Sequence, residues 1–191
     1  KRHISTGRPG DNWNSSLEGA QGAYIKMMLH DDWFTDDNSL FEYVSLIDNN
    51  DAALAFSGTW EVSEDWRYAR HITTENAKLI EKDIRNLYTA SVIGAPSATI
   101  YRNKGMLYDP KLKWLIDMEF YIRTMTVSKS TFVYTKKPLM SIGRSDSQMT
   151  SYCLSHPNLV RKEYFYVYKK LGLSTEKKYT RYLYSQLRRP H

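Results

Sequence analysis

The chain has 191 residues and carries 27 Lys and Arg against 21 Asp and Glu, so its formal net charge is +6 at pH 7. Hydrophobic residues make up 41% and charged residues 25%, proportions that exclude a disordered or fibrous chain and suit one globular domain. The single cysteine, Cys153, excludes an intramolecular disulfide framework and fits a reducing compartment. No apolar run approaches the roughly 20 residues of a membrane-spanning helix.

The first part of the chain predicts a strand, an acidic turn and a helix. Residues 13–21 have a short mixed pattern that suits one or two helical turns, and the apolar run at 23–29 predicts a buried strand. This run stops at the adjacent acids Asp31 and Asp32. Over residues 36–47 apolar side chains recur at helical spacing, which predicts an amphipathic helix.

A second apolar run at residues 52–56 predicts another buried strand. Strand, acidic turn, helix and strand in succession indicate a βαβ unit, so we expect an α/β fold with a parallel sheet. Residues 59–71 show no clear period. The remaining predicted elements are a helix at 74–88, a strand at 98–101, a helix that begins near Asp117, strands at 131–135 and 139–142, and C-terminal helices that begin at Pro157 and near Ser174.

The acidic pair is the strongest local feature. At the carboxyl end of a strand in an α/β sheet, Asp31 and Asp32 would lie in the crevice where such folds bind ligands. Their hard oxygen atoms suit Mg²⁺ or Mn²⁺, which in turn binds phosphate oxygens. The alternative is a solvated turn that caps the following helix.

Two further segments carry residues that suit a ligand site. Asp117 and Glu119 are two positions apart, so on a helix they point about 200° apart and do not form one acidic dyad. We expect one of them to face a cleft and the other to pair with Arg123. The small residues at 94–97 let a ligand approach the backbone closely, or they form only a turn before a strand.

Several common catalytic motifs are missing from the sequence. The five histidines are scattered without ligand spacing and, with one cysteine, there is no zinc motif. The sequence also contains no dinucleotide-binding glycine motif, no phosphate-binding P-loop and no nucleophile elbow.

Taken in order, the segments from about residue 12 to residue 150 resemble family 2 glycosyltransferases with a GT-A fold, which implies an α/β fold with a mixed sheet flanked by helices. Asn14, Gly22-Ala23-Tyr24-Ile25 and Leu29-His30-Asp31-Asp32-Trp33 resemble the passage that contains the equivalent of the family's DxD motif. Residues 93–97 and 100–102 resemble its acceptor-side loop and strand. Ile116-Asp117-Met118-Glu119-Phe120 with Arg123 resembles its acidic segment, and Gln148-Met149-Thr150 resembles the end of its catalytic domain.

The resemblance implies an inverting, metal-dependent transfer of a sugar from a nucleotide-sugar donor to a saccharide or lipid-linked acceptor, in cell-surface polysaccharide biosynthesis. Asp32, with Asp31 beside it, would hold Mn²⁺ or Mg²⁺ against the donor's diphosphate. Asp117 would be the general base that takes the proton of the acceptor hydroxyl. The residues that the resemblance assigns to donor or acceptor binding are Asn14, Asp31, Gly94, Ala95, Ser97 and Glu119.

The sequence also departs from the family pattern. Leu29 precedes the acidic pair where a further acid is usual, Ile116 stands where many relatives have Glu, and Ser145 stands in place of a usual His. The strand, helix and strand that open such domains are absent, so we expect roughly 50–60 residues to be missing, against about 30 or more for one βαβ unit. The predicted organisation is an N-terminally incomplete GT-A catalytic domain at 1–150 and a basic helical extension at 151–191.

The positive charge belongs to the end of the chain. Residues 161–191 hold nine Lys and Arg against two Glu, a net +7, whereas the other 160 residues hold 18 basic and 19 acidic side chains. This distribution indicates either a solvated basic face or peripheral contact with anionic lipid. The resemblance implies a cytoplasmic protein, and a lipid-linked acceptor would bring it to the inner face of the membrane.

Two alternatives to the transferase stay open. One is a catalytically inactive scaffold of the same GT-A fold, which Leu29 and the absent opening would favour. The other is a module that binds nucleic acid or another polyanion through the basic, Tyr-rich C-terminus. Aromatic residues at helical spacing are more often core residues than a stacking surface, so we expect no nucleic-acid partner.

Overall fold

The protein was analysed as a computed structural model, which describes residues 7–128, 131–145 and 148–188. Within these residues six strands form one mixed sheet flanked by helices. The strands are β1 (Tyr24–Ile25), β2 (Asp32–Phe34), β3 (Leu54–Val62), β4 (Arg67–Arg70), β5 (Thr99–Arg102) and β6 (Phe132–Gly143). The α-helices are α1 (Pro9–Leu17), α2 (Ser39–Asn49), α3 (Thr74–Lys82), α4 (Ile116–Ser128), α5 (Met149–Leu154), α6 (Pro157–Lys170) and α7 (Lys177–Arg188).

The sheet is organised around the long strand β3. The strand order is β1-β5-β3-β6-β2; β3 and β6 are parallel, and the other neighbours are antiparallel. On its second side β3 pairs first with β5, over Leu54–Phe56, and then with β4, over Thr59–Val62. The predicted strand–helix–strand unit is present as β1, α2 and β3, but the edge strand β2 precedes α2 and β5 lies between β1 and β3. The expected parallel sheet is wrong, because β5 and β2 insert as antiparallel neighbours and make the sheet mixed.

One bulged strand replaces the two strands predicted on either side of Pro138. The register between β3 and β6 shifts on both sides of Gly58, which lies opposite Pro138. A Cβ atom at Gly58 would lie 2.4 Å from the carbonyl oxygen of Lys136, so only glycine fits where the two backbones approach. The bulge accommodates a proline, which lacks the amide that a regular ladder needs.

The strand predicted at residues 23–29 is wrong beyond its first part. Only Tyr24 and Ile25 pair with β5, and the chain then leaves the sheet. The amide of Leu29 donates to the hydroxyl of Ser97 at 3.0 Å instead of to a neighbouring strand. Asp32 is the first residue of the edge strand β2. The acidic pair therefore lies in the turn that leads into β2 and not at the carboxyl end of a preceding strand.

The helices predicted at 36–47 and 74–88 are present with changed limits. In α2, Tyr43 and Ile47 are fully buried, but Leu40 is 45% exposed, because the helix turns only part of its apolar stripe to the sheet. The second helix stops at Asp83, whose extended backbone breaks it and whose carboxylate accepts the amide of Arg85 at 2.9 Å. A 3₁₀ turn at Ile84–Tyr88 follows.

The C-terminal helices share the main core with the rest of the chain. Val160, Val167 and Leu183 pack in the same apolar cluster as Leu54 and Phe120. Tyr88 has ring contacts with four C-terminal tyrosines, at centroid distances of 5.6–6.4 Å: Tyr164, Tyr168, Tyr179 and Tyr182. Over its described residues, the extension predicted at 151–191 is therefore packed into the larger of two apolar clusters, together with residues of the first 150. None of the helices in the described ranges has the length and apolar character that a bilayer span requires.

Glu163 joins this helical part to the segment that begins α4. Its carboxylate is 5% exposed and accepts hydrogen bonds from the amides of Lys113, Trp114 and Leu115 at 2.8–3.0 Å. These donors lie directly ahead of α4, where backbone amides have no partner within the helix. Glu163 therefore fixes the start of the helix that carries Asp117.

We expect Glu163→Ala to lower the free energy of unfolding by about 3 kcal/mol, because it leaves three enclosed amides without an acceptor. Glu163→Gln keeps one acceptor oxygen and should cost less. Urea unfolding measures both. Glu81→Ala, at an exposed position of α3, is the control and should change stability by less than about 0.5 kcal/mol. Equal losses for Glu163→Ala and Glu81→Ala would contradict this role.

Candidate functional site

A cleft of about 700 Å³ opens where the turn before β2, the end of β4, the loop before β5 and the start of α4 meet. The end of β6 and the start of α5 complete its wall. Five of the predicted site residues line this one cleft: Asp31, Asp32, Gly94, Ala95 and Asp117. The fold thus brings together acids that are 85 positions apart in the sequence.

Asp32 carries a carboxylate that is enclosed and lacks ordinary partners. Both its oxygens are shielded from solvent, and neither makes a hydrogen bond of normal geometry within the described residues. Burial raises the pKa of Asp32, and the nearby Ser97 hydroxyl and Gly143 amide offset this only in part. Because an enclosed carboxylate without a partner is costly, this side chain is poised to bind a cation.

Asp31 is held by the end of β6. A Cβ atom at Gly143 would lie 2.4 Å from the carbonyl oxygen of Asp31, and the Gly143 amide donates to that oxygen at 3.1 Å. Gln148 donates from Nε2 to Asp31 Oδ2 at 2.7 Å. Gln148 was not among the predicted site residues, although the resemblance at residues 148–150 was a signal for it.

The donor set fits a divalent cation of the magnesium type. The described part of the chain has no cluster of three or more His, Cys, Asp or Glu side chains arranged for a metal. Mg²⁺ is usually bound by one or two carboxylates, with water and phosphate oxygens as its other ligands. The unpartnered oxygens of Asp32, with Asp31 beside them, match that requirement.

Ser97 supports the acidic turn from below. It is fully buried and is not among the residues that line the cleft, so the structure does not bring it together with Asp31, Asp32 and Asp117 there. Its hydroxyl accepts the Leu29 amide, and its carbonyl accepts a hydrogen bond from the ammonium of Lys26. Burial lowers the pKa of Lys26 to about 7, although the Asp32 carboxylate acts to raise it. The sequence signal for this inward lysine was its place inside an apolar run.

Asp117 lies in the first turn of α4, at the wall of the cleft. Burial raises its pKa from the ordinary 3.8 to about 6, and a 2.7 Å hydrogen bond from the Met118 amide to Oδ1 opposes that shift. A carboxylate with a pKa near neutrality that is open to a cleft is suited to accept a proton from a ligand.

Arg70 is a cleft residue that the sequence pattern missed. Its Nη2 donates to the carbonyl of Ser91 at 3.0 Å, and its charge acts to lower the pKa of Asp117. Gly94 has a φ of +104°, and a Cβ there would lie 2.5 Å from Arg70 Nη1. Only glycine therefore allows the guanidinium to sit against this loop. No periodic pattern marked residues 59–71, so nothing in the sequence pointed to Arg70.

Asn14 and Glu119 are not among the residues that line the cleft, so the structure does not place them with the other predicted site residues. The Asn14 amide donates to and accepts from the backbone of Tyr108, at 2.9 and 2.8 Å, and so pins α1 in place. Glu119 is fully buried and pairs with Arg123 at 2.8 Å and Lys170 at 2.9 Å. The expected division is confirmed: Asp117 faces the cleft and Glu119 pairs with Arg123.

The raised pKa of Asp117 predicts a pH-dependent effect on stability. Between pH 4 and 6 the folded chain retains a proton that the unfolded chain releases, so ionisation of Asp117 destabilises the fold as pH rises. We expect Asp117→Asn to raise the free energy of unfolding by about 3 kcal/mol at pH 8 and to change it little at pH 4. Urea unfolding at both pH values tests this, and an equal effect at both would contradict it.

Comparisons with known proteins support the fold. No protein-family model matches, and no curated protein matches either. Among solved structures, residues 1–349 of Staphylococcus aureus TarS in complex with UDP-GlcNAc are similar, with 17% identity and a TM-score of 0.58 over 86% of this chain and 48% of that chain. TarS 1–349 by itself has 17% identity and a TM-score of 0.52, over 86% and 46% of the two chains. TarS 1–349 with UDP has 16% identity and a TM-score of 0.52, over 85% and 47%.

The chain therefore spans about half the length of these structures. At this level of identity the likeness concerns the fold. It confirms the predicted α/β class, a GT-A-type mixed sheet flanked by helices.

Proposed function

We propose that the chain carries the catalytic centre of an inverting glycosyltransferase that moves a sugar from a nucleotide-sugar donor to a saccharide or lipid-linked acceptor in cell-surface polysaccharide biosynthesis. One observation carries the proposal: an enclosed, unpartnered carboxylate at Asp32 and a carboxylate of raised pKa at Asp117 line one cleft. The fold adds support, because similar structures of TarS contain UDP-GlcNAc and UDP.

The donor's diphosphate would bind at the acidic turn. Asp32 and Asp31 would hold Mn²⁺ or Mg²⁺, which supplies positive charge for the departing diphosphate when bound. Gln148 keeps the Asp31 carboxylate in one orientation. Arg144 lines the same part of the cleft, but it pairs with the buried Glu61 at 2.5 Å and so adds little net charge.

The acceptor would bind near the start of α4. There Asp117 would take the proton of the attacking hydroxyl, and a pKa of about 6 keeps it ionised at neutral pH yet basic enough to act. Attack from the face opposite the leaving diphosphate inverts the anomeric centre. Gly94 and Ala95 line the cleft beside Arg70, and because Ala95 carries only a methyl group, a ligand would approach the backbone there closely.

Two of the C-terminal tyrosines are part of the core. Tyr164 and Tyr179 are 8% and 0% exposed, so they belong to the core and are not available to stack on bases.

Binding of UDP tests the donor site. We expect calorimetry to show UDP binding in the presence of Mn²⁺, and EDTA to weaken it at least about tenfold. Asp32→Asn should weaken Mn²⁺-supported binding to the same degree, because the enclosed oxygens lose their charge. Asp37→Asn, an exposed aspartate outside the cleft, is the control. UDP binding that ignores both EDTA and Asp32→Asn would contradict the donor site.

The same series separates an active enzyme from an inactive scaffold. Asp117→Asn should keep UDP binding but lower sugar transfer and donor hydrolysis by about 10²- to 10⁴-fold. The wild-type rate should fall as pH drops below about 6, since Asp117 is then protonated. Full activity of Asp117→Asn would overturn the base assignment. UDP binding without any turnover of a panel of UDP-sugars would favour the inactive scaffold.

We also propose that the basic helical end contacts anionic lipid. Lys162, Phe165 and Lys169 recur on the exposed side of α6, and Arg181 and Tyr184 on that of α7. Basic side chains with exposed aromatic rings suit a membrane interface. Two other basic residues of these helices, Lys170 and Lys178, form ion pairs with carboxylates of the protein, so we do not assign them to the lipid contact.

Sedimentation with vesicles containing phosphatidylglycerol tests the lipid contact. Deleting the C-terminal helices would remove core residues such as Glu163, so the test reverses surface charges instead. The double variant Lys169→Glu with Arg181→Glu should weaken vesicle binding at least about tenfold. Lys104→Glu, in an exposed turn, is the control. Equal binding of all variants, or equal binding to uncharged vesicles, would remove the proposal.

A further inference from the structure

A row of three side chains leads along β4 towards the base of the cleft. Trp66 stands immediately before the strand, and Tyr68 and Arg70 follow at every second position, so all three point to one side of the sheet. Tyr68 and Arg70 both line the cleft. In the antiparallel register Tyr68 lies opposite Glu61, and Arg70 lies opposite Thr59.

Tyr68 presents one open ring face to the cleft. Its ring stacks on Trp66, with centroids 5.3 Å apart and planes inclined at 24°. Tyr68 is nevertheless 53% exposed and lines the cleft, whereas Trp66 does not line it. Since Trp66 covers one face of the tyrosine ring, the exposed area belongs to the other face and the edge. Stacking against Trp66 thus restricts the orientation of the Tyr68 ring.

The inner end of the row meets the proposed general base. Arg70 lies against Gly94 and acts electrostatically on Asp117. A molecule stacked on Tyr68 and extending inward therefore passes Arg70 before it reaches Asp117. This is the path of the molecule whose hydroxyl gives up a proton, not of the diphosphate, which would bind at the acidic turn.

We propose that Tyr68 is the stacking platform for a pyranose ring of the acceptor, that Trp66 positions it, and that Arg70 binds hydroxyls of the same sugar beside Asp117. This inference rests on the proposed function and specifies its acceptor side. A pyranose has an apolar face of C–H groups, which carry partial positive charge and suit the negative face of an aromatic ring. Its hydroxyls lie at the rim, where a guanidinium can donate to them.

Saturation-transfer NMR with simple glycosides tests the platform. The probes are methyl β-D-glucopyranoside, methyl β-D-galactopyranoside and methyl N-acetyl-β-D-glucosaminide, with the full chain. We expect transfer to the ring C–H protons of at least one probe, reduced about fivefold or more by Tyr68→Ala. Tyr68→Phe keeps the ring and should keep the signal. Trp66→Ala should give an intermediate loss, because the ring stays but loses its support.

Tyr184→Ala is the matched control. Tyr184 is 55% exposed, close to the value for Tyr68, but lies on α7 outside the cleft, so its loss should leave the signal unchanged. An unchanged signal in Tyr68→Ala, or no transfer to any of the three probes in the wild type, would overturn the platform. Displacement of the probe by uridine without Mn²⁺ would also overturn it, because the ring would then hold a base.

The result of the glycoside test can be distinguished from the result of the UDP-binding test of the proposed donor site. Tyr68→Ala should leave Mn²⁺-supported UDP binding within about twofold of the wild type, since the diphosphate binds elsewhere in the cleft. Intact UDP binding with no glycoside signal would refute the platform alone. A Tyr68-dependent glycoside signal with no UDP binding would refute the donor site and leave the platform standing.

Discussion

The geometry of the cleft depends on one change of partner along β3. This strand pairs with β6 over its whole length, but on its other side it leaves β5 after Phe56 and takes up β4 from Thr59. The bulge at Gly58 lies between these two pairings, where the second partner of β3 changes from β5 to β4. As a result the loop that leads into β5 and the end of β4 arrive at the same place, where Gly94 and Arg70 touch. An uninterrupted ladder would keep these two segments apart.

Two backbone anchors hold the acidic groups around this opening. Gly143, at the end of β6, lets the turn with Asp31 approach so closely that no Cβ fits between them. Glu163 holds three amides ahead of α4 and so places Asp117 on the opposite wall. Both anchors act on backbone rather than on the cleft side chains. Asp32 and Asp117 both line the cleft, and burial raises the pKa of each.

The C-terminal helices contribute to the site as well as to the core. Tyr164 and Tyr182 line the cleft, and Glu163 from the same helix as Tyr164 anchors α4. The tyrosines form a cluster around Tyr88, which explains their number without a nucleic-acid surface. The positive charge remains on the outer side of these helices, where exposed lysines and arginines alternate with buried apolar positions. One part of the sequence thus supplies both packing and surface charge.

The sequence by itself determined the α/β class, most helices and the two acidic groups, because helical spacing and apolar runs depend on neighbouring residues. The same local patterns favoured a parallel sheet, and only the family resemblance implied the mixed sheet that the structure has. It could not reveal the single bulged strand β6, the early end of the strand at 23–29 or the structural roles of Asn14, Ser97 and Glu119. These features depend on partners from 51 to 94 positions away, which the local sequence does not specify, apart from the nearby Arg123. Only the tertiary structure decided which carboxylate faces the cleft, since burial and long-range contacts select the side of each element that remains open.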